Sequence, residues 1–291
     1  MKNILITGGN GQLGSSFKEI EKKHSNWKLH FYTKSELDIT RKNKVDEIFK
    51  VNKFEFVINC AAYTNVNKAD EEFKLAHNIN VDGVKNLAEI SAKYSSKFIH
   101  ISTDYVFDGK KLSLYDECDS TNPINQYGLS KLKGEEFLLN SYDDNCLIIR
   151  TSSVFSPYGT NFVKTMLDLF SKKDQITVVS DQFSSPTYAP DLANTIMQII
   201  YLVENKNFKT QVYHFSNSGS ISWLEFALFI KNYVGSSCQI HPVSLKDFDS
   251  KVKRPQFTAF NNSKIVNDFN IKLIPWEISL TECLNKILMK S

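Results

Sequence analysis

Tyr127 and Lys131 have the residue types and the spacing of a proton-transfer pair. Residues four positions apart lie on the same face of a helix, so both side chains can reach one substrate atom. A free phenol has a pKa of about 10 and is a poor acid near neutrality, but a neighbouring ammonium group stabilises the phenolate and lowers that pKa. We therefore predict that this pair donates a proton to a carbonyl oxygen.

A hydroxyl group at the end of a predicted strand could polarise the same carbonyl oxygen. An apolar strand pattern over residues 98–102 ends at Ser102 and is followed by Thr103. In a parallel sheet, the carboxyl ends of the strands border the crevice in which ligands bind. The residues by themselves leave both Ser102 and Thr103 open as the polarising group. Asn80, in the predicted helix before this strand, is either a further polar group near the site or an exposed or capping residue.

Three glycines, Gly8, Gly11 and Gly14, follow the first apolar stretch and open the first predicted helix. Glycine lets the backbone turn sharply and approach a pyrophosphate, whose charge is then met by free N–H groups at the helix N-terminus. An ordinary strand-to-helix turn is the alternative, but a position after the first strand of an alternating series favours a dinucleotide. This loop is therefore predicted to bind a dinucleotide cofactor.

The end of the second predicted strand bears on which dinucleotide is used. It runs into Thr33, Lys34 and Ser35 rather than into an acidic residue. An acidic side chain there would bind the ribose hydroxyls of NAD, whereas a cation and two hydroxyls suit a 2′-phosphate. The pattern favours NADPH, with NADH as the alternative, because Lys34 could equally be a solvated loop residue.

The elements that must position these groups alternate regularly in the first half of the chain. Strand patterns cover residues 3–7, 27–32, 54–60, 98–102 and 146–150, and helix patterns cover residues 12–24, 42–51, 78–93 and 125–140. Strands that alternate with helices predict a parallel sheet covered on both faces, with right-handed crossovers. We expect an α/β fold with a doubly wound parallel sheet of the Rossmann type.

Beyond residue 150 the alternation is looser. Helices are predicted at residues 162–171, 190–204, 223–234 and 277–290, and residues 182–190 and 217–222 are predicted loops. No proline-rich, low-complexity or repeated segment marks a clean boundary. We therefore expect an NAD(P)-binding domain over residues 1–150. Residues 151–291 are expected to form a smaller, mainly C-terminal α/β substrate lobe, interleaved with the first domain.

Composition narrows the classes of partner. The chain has 35 Lys and Arg against 32 Asp and Glu, and a net charge of +3 disfavours a dedicated nucleic-acid partner. No apolar run approaches the roughly 20 residues that cross a bilayer, so we expect a cytoplasmic protein with no membrane partner. The 5 cysteines form no CxxC pair and fit reduced thiols. The 6 histidines show no ligand spacing, so no metal site is predicted.

Together these motifs resemble the extended short-chain dehydrogenase/reductase family, and within it the reductases of nucleotide-linked 4-keto-6-deoxyhexoses. The resemblance covers nearly the whole chain. It rests on GGNGQLG (residues 8–14), NCAAYTNVNKAD (59–70), STDYVFDG (102–109), YGLSKLKGE (127–135), RTSSVF (150–155), TNFVKT (160–165), SDQFSSPTYAPDLA (180–193), YHFSNSGSISWLEFA (213–227) and RPQFTAF (254–260).

The resemblance implies reduction of a C4 ketone by NAD(P)H, with dTDP-4-dehydro-L-rhamnose converted to dTDP-L-rhamnose for cell-surface polysaccharide. It implies three catalytic residues. Tyr127 would protonate the C4 oxygen, Thr103 would orient the carbonyl, and Lys131 would hold the nicotinamide ribose and keep Tyr127 acidic. The implied cofactor contacts are Gly8, Gly11, Gln12, Leu13, Gly14, Asp38, Ile39, Ala61, Ala62, Tyr63, Tyr127 and Lys131. The implied substrate contacts are Thr103, Asp104, Tyr105, Asn161 and Arg254, the last of which has a guanidinium that matches a diphosphate.

One residue departs from the family pattern. Ser153 stands where these reductases usually have an aromatic residue that packs against the sugar. Loss of the ring removes apolar contact area and leaves room for a bulkier or differently oriented group. A sibling reductase acting on another nucleotide 4-keto sugar therefore stays an alternative.

Two further classes share the fold. One is a non-catalytic regulatory subunit of the methionine adenosyltransferase type, which is disfavoured because Thr103, Tyr127 and Lys131 are all present. The other is a nucleotide-sugar epimerase or dehydratase, which would retain NAD tightly because it recycles the cofactor in place. Some family members bind Mg²⁺ at a dimer interface, so a homodimer and Mg²⁺ are open expectations without a ligand set that we can locate.

Overall fold

The structure is a computed structural model that describes residues 2–142 and 144–289. The strands are β1 (Lys2–Thr7), β2 (Trp27–Tyr32), β3 (Phe56–Asn59), β4 (Lys97–Thr103), β5 (Cys146–Thr151), β6 (Val154–Phe155), β7 (Gln175–Val179), β8 (Phe183–Ser184), β9 (Thr187–Tyr188), β10 (Gln211–His214), β11 (Ile221–Ser222) and β12 (Gln239–Val243). The helices are α1 (Gln12–Ile20), α2 (Lys42–Val51), α3 (Phe73–His77), α4 (Gly83–Lys93), α5 (Gln126–Ser141), α6 (Phe162–Lys172), α7 (Ala189–Val203), α8 (Trp223–Val234), α9 (Ser263–Phe269) and α10 (Trp276–Leu288).

The central sheet has six strands in the order β10-β5-β4-β3-β1-β2, and every pairing is parallel. The chain passes from β1 outward to β2 and then back to β3 on the other side of β1. This reversal creates a crevice at the carboxyl ends of β1 and β3, where ligands bind in open α/β sheets. The predicted α/β fold with a doubly wound parallel sheet is confirmed.

Alternating side chains of the strands build one core on each face of the sheet. Ile4 and Ile6 pack with α1 and α7, whereas Leu5 packs with α2 and α4 on the opposite face. Successive residues of a strand point to opposite faces, so a strand that is covered on both sides is apolar at consecutive positions. The continuous apolar runs in the sequence follow from this double coverage.

The second half of the chain contributes to both parts of the molecule. Helix α7 packs on α1, and β10 extends the central sheet beside β5. A separate core joins α6, α8 and α10 and includes Phe155, Phe226 and Leu280. The smaller lobe also contains three two-stranded pairs, β7 with β12, β8 with β11, and β6 with β9.

Several predicted elements differ in detail from the observed ones. The helix predicted over residues 12–24 ends at Ile20 and continues as the 3₁₀ turn Glu21–His24, and the helix predicted over 78–93 starts as the π-helical turn Asn78–Asp82. The predicted loops 182–190 and 217–222 contain β8, β9 and β11, because strands of two residues leave no periodic pattern to detect. The last predicted helix spans Trp276–Leu288, and its predicted end at Lys290 lies outside the described residues.

Within the described ranges, none of the helices combines the length and the apolar character that a bilayer span requires.

Candidate active site

A cavity of about 1250 Å³ opens at the carboxyl ends of the central strands, between the sheet and the smaller lobe. It brings together residues that are far apart in the sequence. The predicted site residues in its wall are Gly8, Gly11, Gln12, Leu13, Gly14, Asp38, Ile39, Ala61, Ala62, Thr103, Asp104, Tyr105, Tyr127 and Lys131. Tyr63, Asn161 and Arg254 are not part of this wall.

The glycine loop forms one end of the cavity and fits a pyrophosphate. Gly8 has a φ of 64°, a conformation that a side chain would strain. A Cβ on Gly14 would lie 2.5 Å from the carbonyl oxygen of Gly8, so only glycine lets α1 begin this close to β1. Gly11 caps α1 without a side-chain hydrogen bond, which leaves the N-terminal N–H groups of the helix available for an anion.

The turn after β2 places a carboxylate where the sequence suggested only a cation and hydroxyls. The backbone N–H and the hydroxyl of Thr33 donate to Glu36 Oε2 at 2.8 and 2.7 Å, and Thr33 Oγ lies 2.9 Å from Ser35 Oγ. These bonds from Thr33 lower the pKa of Glu36, whose carboxylate is therefore ionised. Lys34 lines the cavity beside them. The Thr33 hydroxyl, one of the two predicted to serve a 2′-phosphate, thus donates to Glu36.

Helix α5 carries Tyr127 and Lys131, and two features of its first turn aim them into the cavity. The side chain of Asn125 caps the helix by accepting from the N–H of Gly128 at 2.8 Å. A Cβ on Gly128 would lie 2.1 Å from the carbonyl oxygen of Tyr105, so this glycine lets α5 pack directly against the turn after β4. The rings of Tyr105 and Tyr127 consequently meet edge to face at 5.8 Å.

Thr103 connects Tyr127 to a buried carboxylate. Its hydroxyl donates to Asp104 Oδ1 at 3.0 Å and accepts from the N–H of Tyr105 at 3.2 Å. Burial raises the pKa of Tyr127 above its ordinary value, and the hydrogen bond with Thr103 opposes that rise. Tyr127 therefore holds its proton across the physiological range, as a proton donor must.

Lys131 is almost fully buried at the base of the cavity. Its Nζ donates to the carbonyl oxygen of Ile101 at 2.7 Å and lies 3.2 Å from Nε2 of His100. Burial lowers the pKa of Lys131 to about 8, although Glu135 and Cys60 act in the opposite direction. The sequence predicted that Lys131 would lower the pKa of Tyr127, but burial dominates the pKa of the phenol in this arrangement.

Asp104 is buried and accepts hydrogen bonds from three hydroxyls. Besides Thr103, Ser152 donates to its Oδ2 at 2.8 Å and Thr258 donates to the same oxygen at 2.6 Å. Burial raises the pKa of Asp104, and these three bonds oppose the rise.

Nearby, Ser102 Oγ is buried in the cavity wall with no hydrogen-bond partner among the described residues, which leaves it able to bond to a ligand.

Arg254 lies behind Tyr105 rather than in the cavity wall. Its Nη1 donates to the hydroxyl of Tyr105 at 3.2 Å, and its Nη2 donates to Asn67 Oδ1 at 2.6 Å. The guanidinium thus ties the C-terminal part of the chain to the loop after β3. Its position makes it a support for Tyr105 in this geometry.

Tyr63 and Asn161 also support the wall from outside. Asn80 is buried, not exposed, and it binds the backbone of Tyr63 with both ends of its amide, at 2.9 and 3.1 Å. The hydroxyl of Tyr63 donates to Glu72 at 3.0 Å. Asn161 caps α6 and donates to Gln12 Oε1 at 2.8 Å, which holds Gln12 in the wall.

The opposite wall comes from the smaller lobe and includes Ser153, which the sequence analysis singled out, and Trp223, which it did not. Ser153 lies in this wall with a φ of 47°, and its Oγ is 2.7 Å from Ser184 Oγ. Trp223, at the start of α8, lines the same region and packs against Phe162 with ring centroids 4.5 Å apart. The capping box formed by Ser222 and its helix marks where α8 begins, but nothing in the sequence signals that Trp223 faces the cavity.

A cradle for a dinucleotide beside a half-buried tyrosine and a buried lysine places the molecule in the class of nicotinamide-dependent oxidoreductases with a doubly wound fold. Comparison with known proteins defines it further. The chain belongs to the family of the RmlD substrate binding domain, which matches residues 1–289.

Curated relatives and solved structures agree with this assignment. The dTDP-4-dehydrorhamnose reductase of Aggregatibacter actinomycetemcomitans is 37% identical over 96% of this chain and 97% of its own length. The dTDP-4-keto-6-deoxy-D-glucose reductase of Streptomyces niveus is 28% identical over 96% of this chain and 95% of its own. A crystal structure of dTDP-4-dehydrorhamnose reductase from Bacillus anthracis in complex with NADP has a TM-score of 0.92 and 37% identity, covering 98% of this chain and all of that one.

In the part of the chain that the structure describes, His, Cys, Asp and Glu side chains form no group of three or more that could hold a metal ion.

Proposed function

We propose that this protein reduces the C4 ketone of a dTDP-linked 4-keto-6-deoxyhexose, with dTDP-4-dehydro-L-rhamnose as substrate and dTDP-L-rhamnose for polysaccharide synthesis as product. The observation that carries the proposal is the meeting of Thr103, Tyr127 and Lys131 with the glycine loop in one cavity. Similarity over the whole length to curated reductases supports the choice of sugar.

In this proposal a bound nicotinamide supplies the hydride that reaches C4. Tyr127 donates its phenolic proton to the C4 oxygen as negative charge develops there. Thr103, which lies in the same cavity wall, would orient the carbonyl. Lys131 provides a positive charge near the phenolate that Tyr127 becomes, which favours release of the proton.

The remaining predicted residues divide by position. The glycine loop, Gln12 and Leu13 would bind the pyrophosphate end of the cofactor, and Asp38 and Ile39 the adenosine end, with Ala61 and Ala62 between them. Asp104 and Tyr105 would shape the substrate side. For Tyr63, Asn161 and Arg254 we propose a supporting role, because their polar atoms are bonded to other residues outside the cavity wall.

We also propose a domain boundary near residue 150. The two domains are interleaved, since α7 and β10 from the second half of the chain pack with the first half.

For the cofactor, we propose that NADPH is preferred but that NADH is also used. Lys34 gives a cation at the end of the cavity that would hold the second ribose. Glu36 places an ionised carboxylate next to the same turn, where it would repel a 2′-phosphate and accept from ribose hydroxyls. The opposing charges favour a modest preference rather than exclusive use of one cofactor.

A reductase of another dTDP-linked 4-keto sugar is the second candidate. The observation that favours it is the far wall, where Ser153 and Ser184 present two small hydroxyls beside Trp223. Small polar groups at this place would accept a sugar with a different substituent or configuration. The similarity to the dTDP-4-keto-6-deoxy-D-glucose reductase of Streptomyces niveus supports this second candidate.

The proposed reaction also bears on where in the cell the enzyme acts and on its assembly. Nucleotide sugars and reduced nicotinamide cofactors are both cytoplasmic metabolites, so we propose that the enzyme acts in the cytoplasm. A homodimer and a contribution from Mg²⁺ remain expectations, to be measured by analytical ultracentrifugation with Mg²⁺ and with a chelator.

The deciding experiment follows NADPH absorbance with enzymatically prepared dTDP-4-dehydro-L-rhamnose, with NADH in parallel and identification of the product sugar. Rapid formation of dTDP-L-rhamnose is the expected result. Turnover only with another 4-keto sugar would favour the second candidate. Cofactor binding without turnover of any 4-keto sugar would contradict the proposal and favour a regulatory subunit, and NAD retained through purification would favour an epimerase or dehydratase.

A further inference from the structure

A row of buried polar side chains runs beneath the cavity across three neighbouring strands. Thr7 pairs in register with Asn59, and Asn59 pairs in register with His100, so the three lie side by side on β1, β3 and β4. Their side chains are 1% exposed or less. Lys131 stands at the end of this row, with its Nζ 3.2 Å from His100 Nε2.

The hydrogen bonds of this row all donate in one direction, from Thr7 through Asn59 to His100. The N–H of Ala61 donates to Thr7 Oγ at 3.1 Å, and the Thr7 hydroxyl donates to Asn59 Oδ1 at 2.7 Å. The amide nitrogen of Asn59 then faces His100 Nδ1 at 3.1 Å and must donate to it. A neutral His100 consequently carries its proton on Nε2, the nitrogen that faces Lys131.

The opposite orientation of the Asn59 amide leaves the Thr7 hydroxyl without an acceptor. Its NH₂ would then donate to Thr7 Oγ, which already accepts from Ala61. The Thr7 hydroxyl proton would need another acceptor, and the described residues offer it none besides Asn59. Buried hydroxyls are almost always bonded, so the first orientation is the favoured one.

The proton on His100 Nε2 matters because of what it faces. An ammonium group has only N–H donors, so it cannot accept a hydrogen bond from another N–H, whereas a neutral amine can. Burial also keeps His100 neutral, because its pKa lies well below the ordinary value. Lys131 therefore meets a donor where an acceptor would have stabilised its charge.

Resting on the proposed function, we propose that His100 is a positioning residue of this reductase, held by Thr7 through Asn59 so that its Nε2–H sets the pH at which Lys131 loses its proton. Among the described residues, the titratable groups that act on Lys131 are Glu135 on its own helix and Cys60 after β3, and Tyr127 shares its cavity wall. Glu135 is bound to Arg150 on β5, which engages both of its carboxylate oxygens. The neutral donor on β4 adds to the effect of burial and keeps the amine form of Lys131 accessible near physiological pH.

The first test reads the protonation of His100 without any substrate. Long-range proton–nitrogen NMR correlations of the isotope-labelled protein distinguish the two ring tautomers, with His100 assigned by comparison with His100→Gln. We expect the proton on Nε2. A proton on Nδ1, or on both nitrogens at neutral pH, would overturn the proposal. This result stands even if no 4-keto sugar is turned over, so failure here is separate from failure of the proposed function.

The second test reverses the direction of the hydrogen bond between residue 59 and His100. In Asn59→Asp a carboxylate accepts from His100 Nδ1–H, so Nε2 becomes an acceptor for the Lys131 ammonium. The alkaline limb of the profile of kcat/KM against pH should then move up by about one pH unit. Thr7→Val, which frees the Asn59 amide without adding charge, should move the limb in the same direction by a smaller amount.

Thr7→Ser is the matched control, because it keeps the hydroxyl that orients Asn59, and its alkaline limb should coincide with that of the wild type. A purely structural role would lower kcat/KM equally at every pH and leave the limb in place. That outcome in both Asn59→Asp and Thr7→Val would refute the positioning role.

Discussion

Tyr127→Phe tests the proposed proton donor with the smallest change of structure. It removes one hydroxyl, which is bonded to Thr103, and leaves the ring in its edge-to-face contact with Tyr105. Loss of a positioned general acid slows turnover by about a hundredfold to ten-thousandfold, which corresponds to about 3 to 5 kcal/mol in the activation free energy. Loss of one hydrogen bond should lower the free energy of unfolding by only about 1 kcal/mol.

The measurement is steady-state reduction of the 4-keto sugar, together with the Kd for NADPH from fluorescence titration. The expected pattern is a large loss of kcat with the Kd within about twofold of wild type, because the cofactor cradle is built from other residues. Tyr105→Phe is the matched control, since its hydroxyl lies in the same cavity but accepts from Arg254. This control should keep kcat within about threefold and act mainly on KM for the sugar.

A Tyr127→Phe enzyme that keeps more than about a tenth of wild-type kcat would refute the assignment of the proton donor. Equal losses of kcat in the two tyrosine variants would also contradict it, because they would indicate general damage to the cavity rather than removal of an acid. A weakened NADPH Kd in Tyr127→Phe alone would assign the hydroxyl to cofactor binding instead.

Three other predictions test the cofactor end, the core and the far wall. Glu36→Gln should raise the preference for NADPH over NADH by roughly threefold to tenfold, and Lys34→Ala should lower it, as measured by the ratio of kcat/KM values; unchanged ratios would exclude both side chains from selection. Arg150→Met leaves the buried carboxylate of Glu135 without its cation and should lower the free energy of unfolding by about 3 to 5 kcal/mol in urea titration; a loss below about 1 kcal/mol would contradict this. Trp223→Ala should raise KM for the sugar by about tenfold with kcat little changed, and an unchanged KM would place the sugar elsewhere.

The sequence was sufficient to predict the features that depend on local pattern. Apolar runs predicted β1, β2 and β5 within a residue of their observed bounds, because strands buried on both faces are continuously apolar. The spacing of Tyr127 and Lys131 placed both on α5, and the glycine loop fell at the reversal of strand order. In each case the information lies within a few neighbouring residues.

Features that depend on distant contacts could not be predicted. Strand β10 was missed because its four residues join the sheet only by pairing with β5, and the sequence between them gives no sign of that pairing. The three hydroxyls on Asp104 come from widely separated positions, among them Ser152 and Thr258. Glu36 lies one residue beyond Thr33, Lys34 and Ser35, and its bond to Thr33 depends on how the turn folds rather than on the strand pattern before it.

The row of Thr7, Asn59 and His100 shows why the protonation states in a site are harder to predict than the residues that form the site. Each of the three residues, taken alone, is an ordinary polar residue of a strand: Thr7 and Asn59 end β1 and β3, and His100 lies in the middle of β4. They become neighbours only because β3 pairs with both β1 and β4 in a register that aligns them. The tautomer of His100, and with it the environment of Lys131, then depends on which way a hydroxyl two strands away donates its proton. Two sequences that share the tyrosine and lysine can therefore differ in the pH at which the lysine loses its proton, because that pH depends on which side chains the register of the sheet places beneath the lysine.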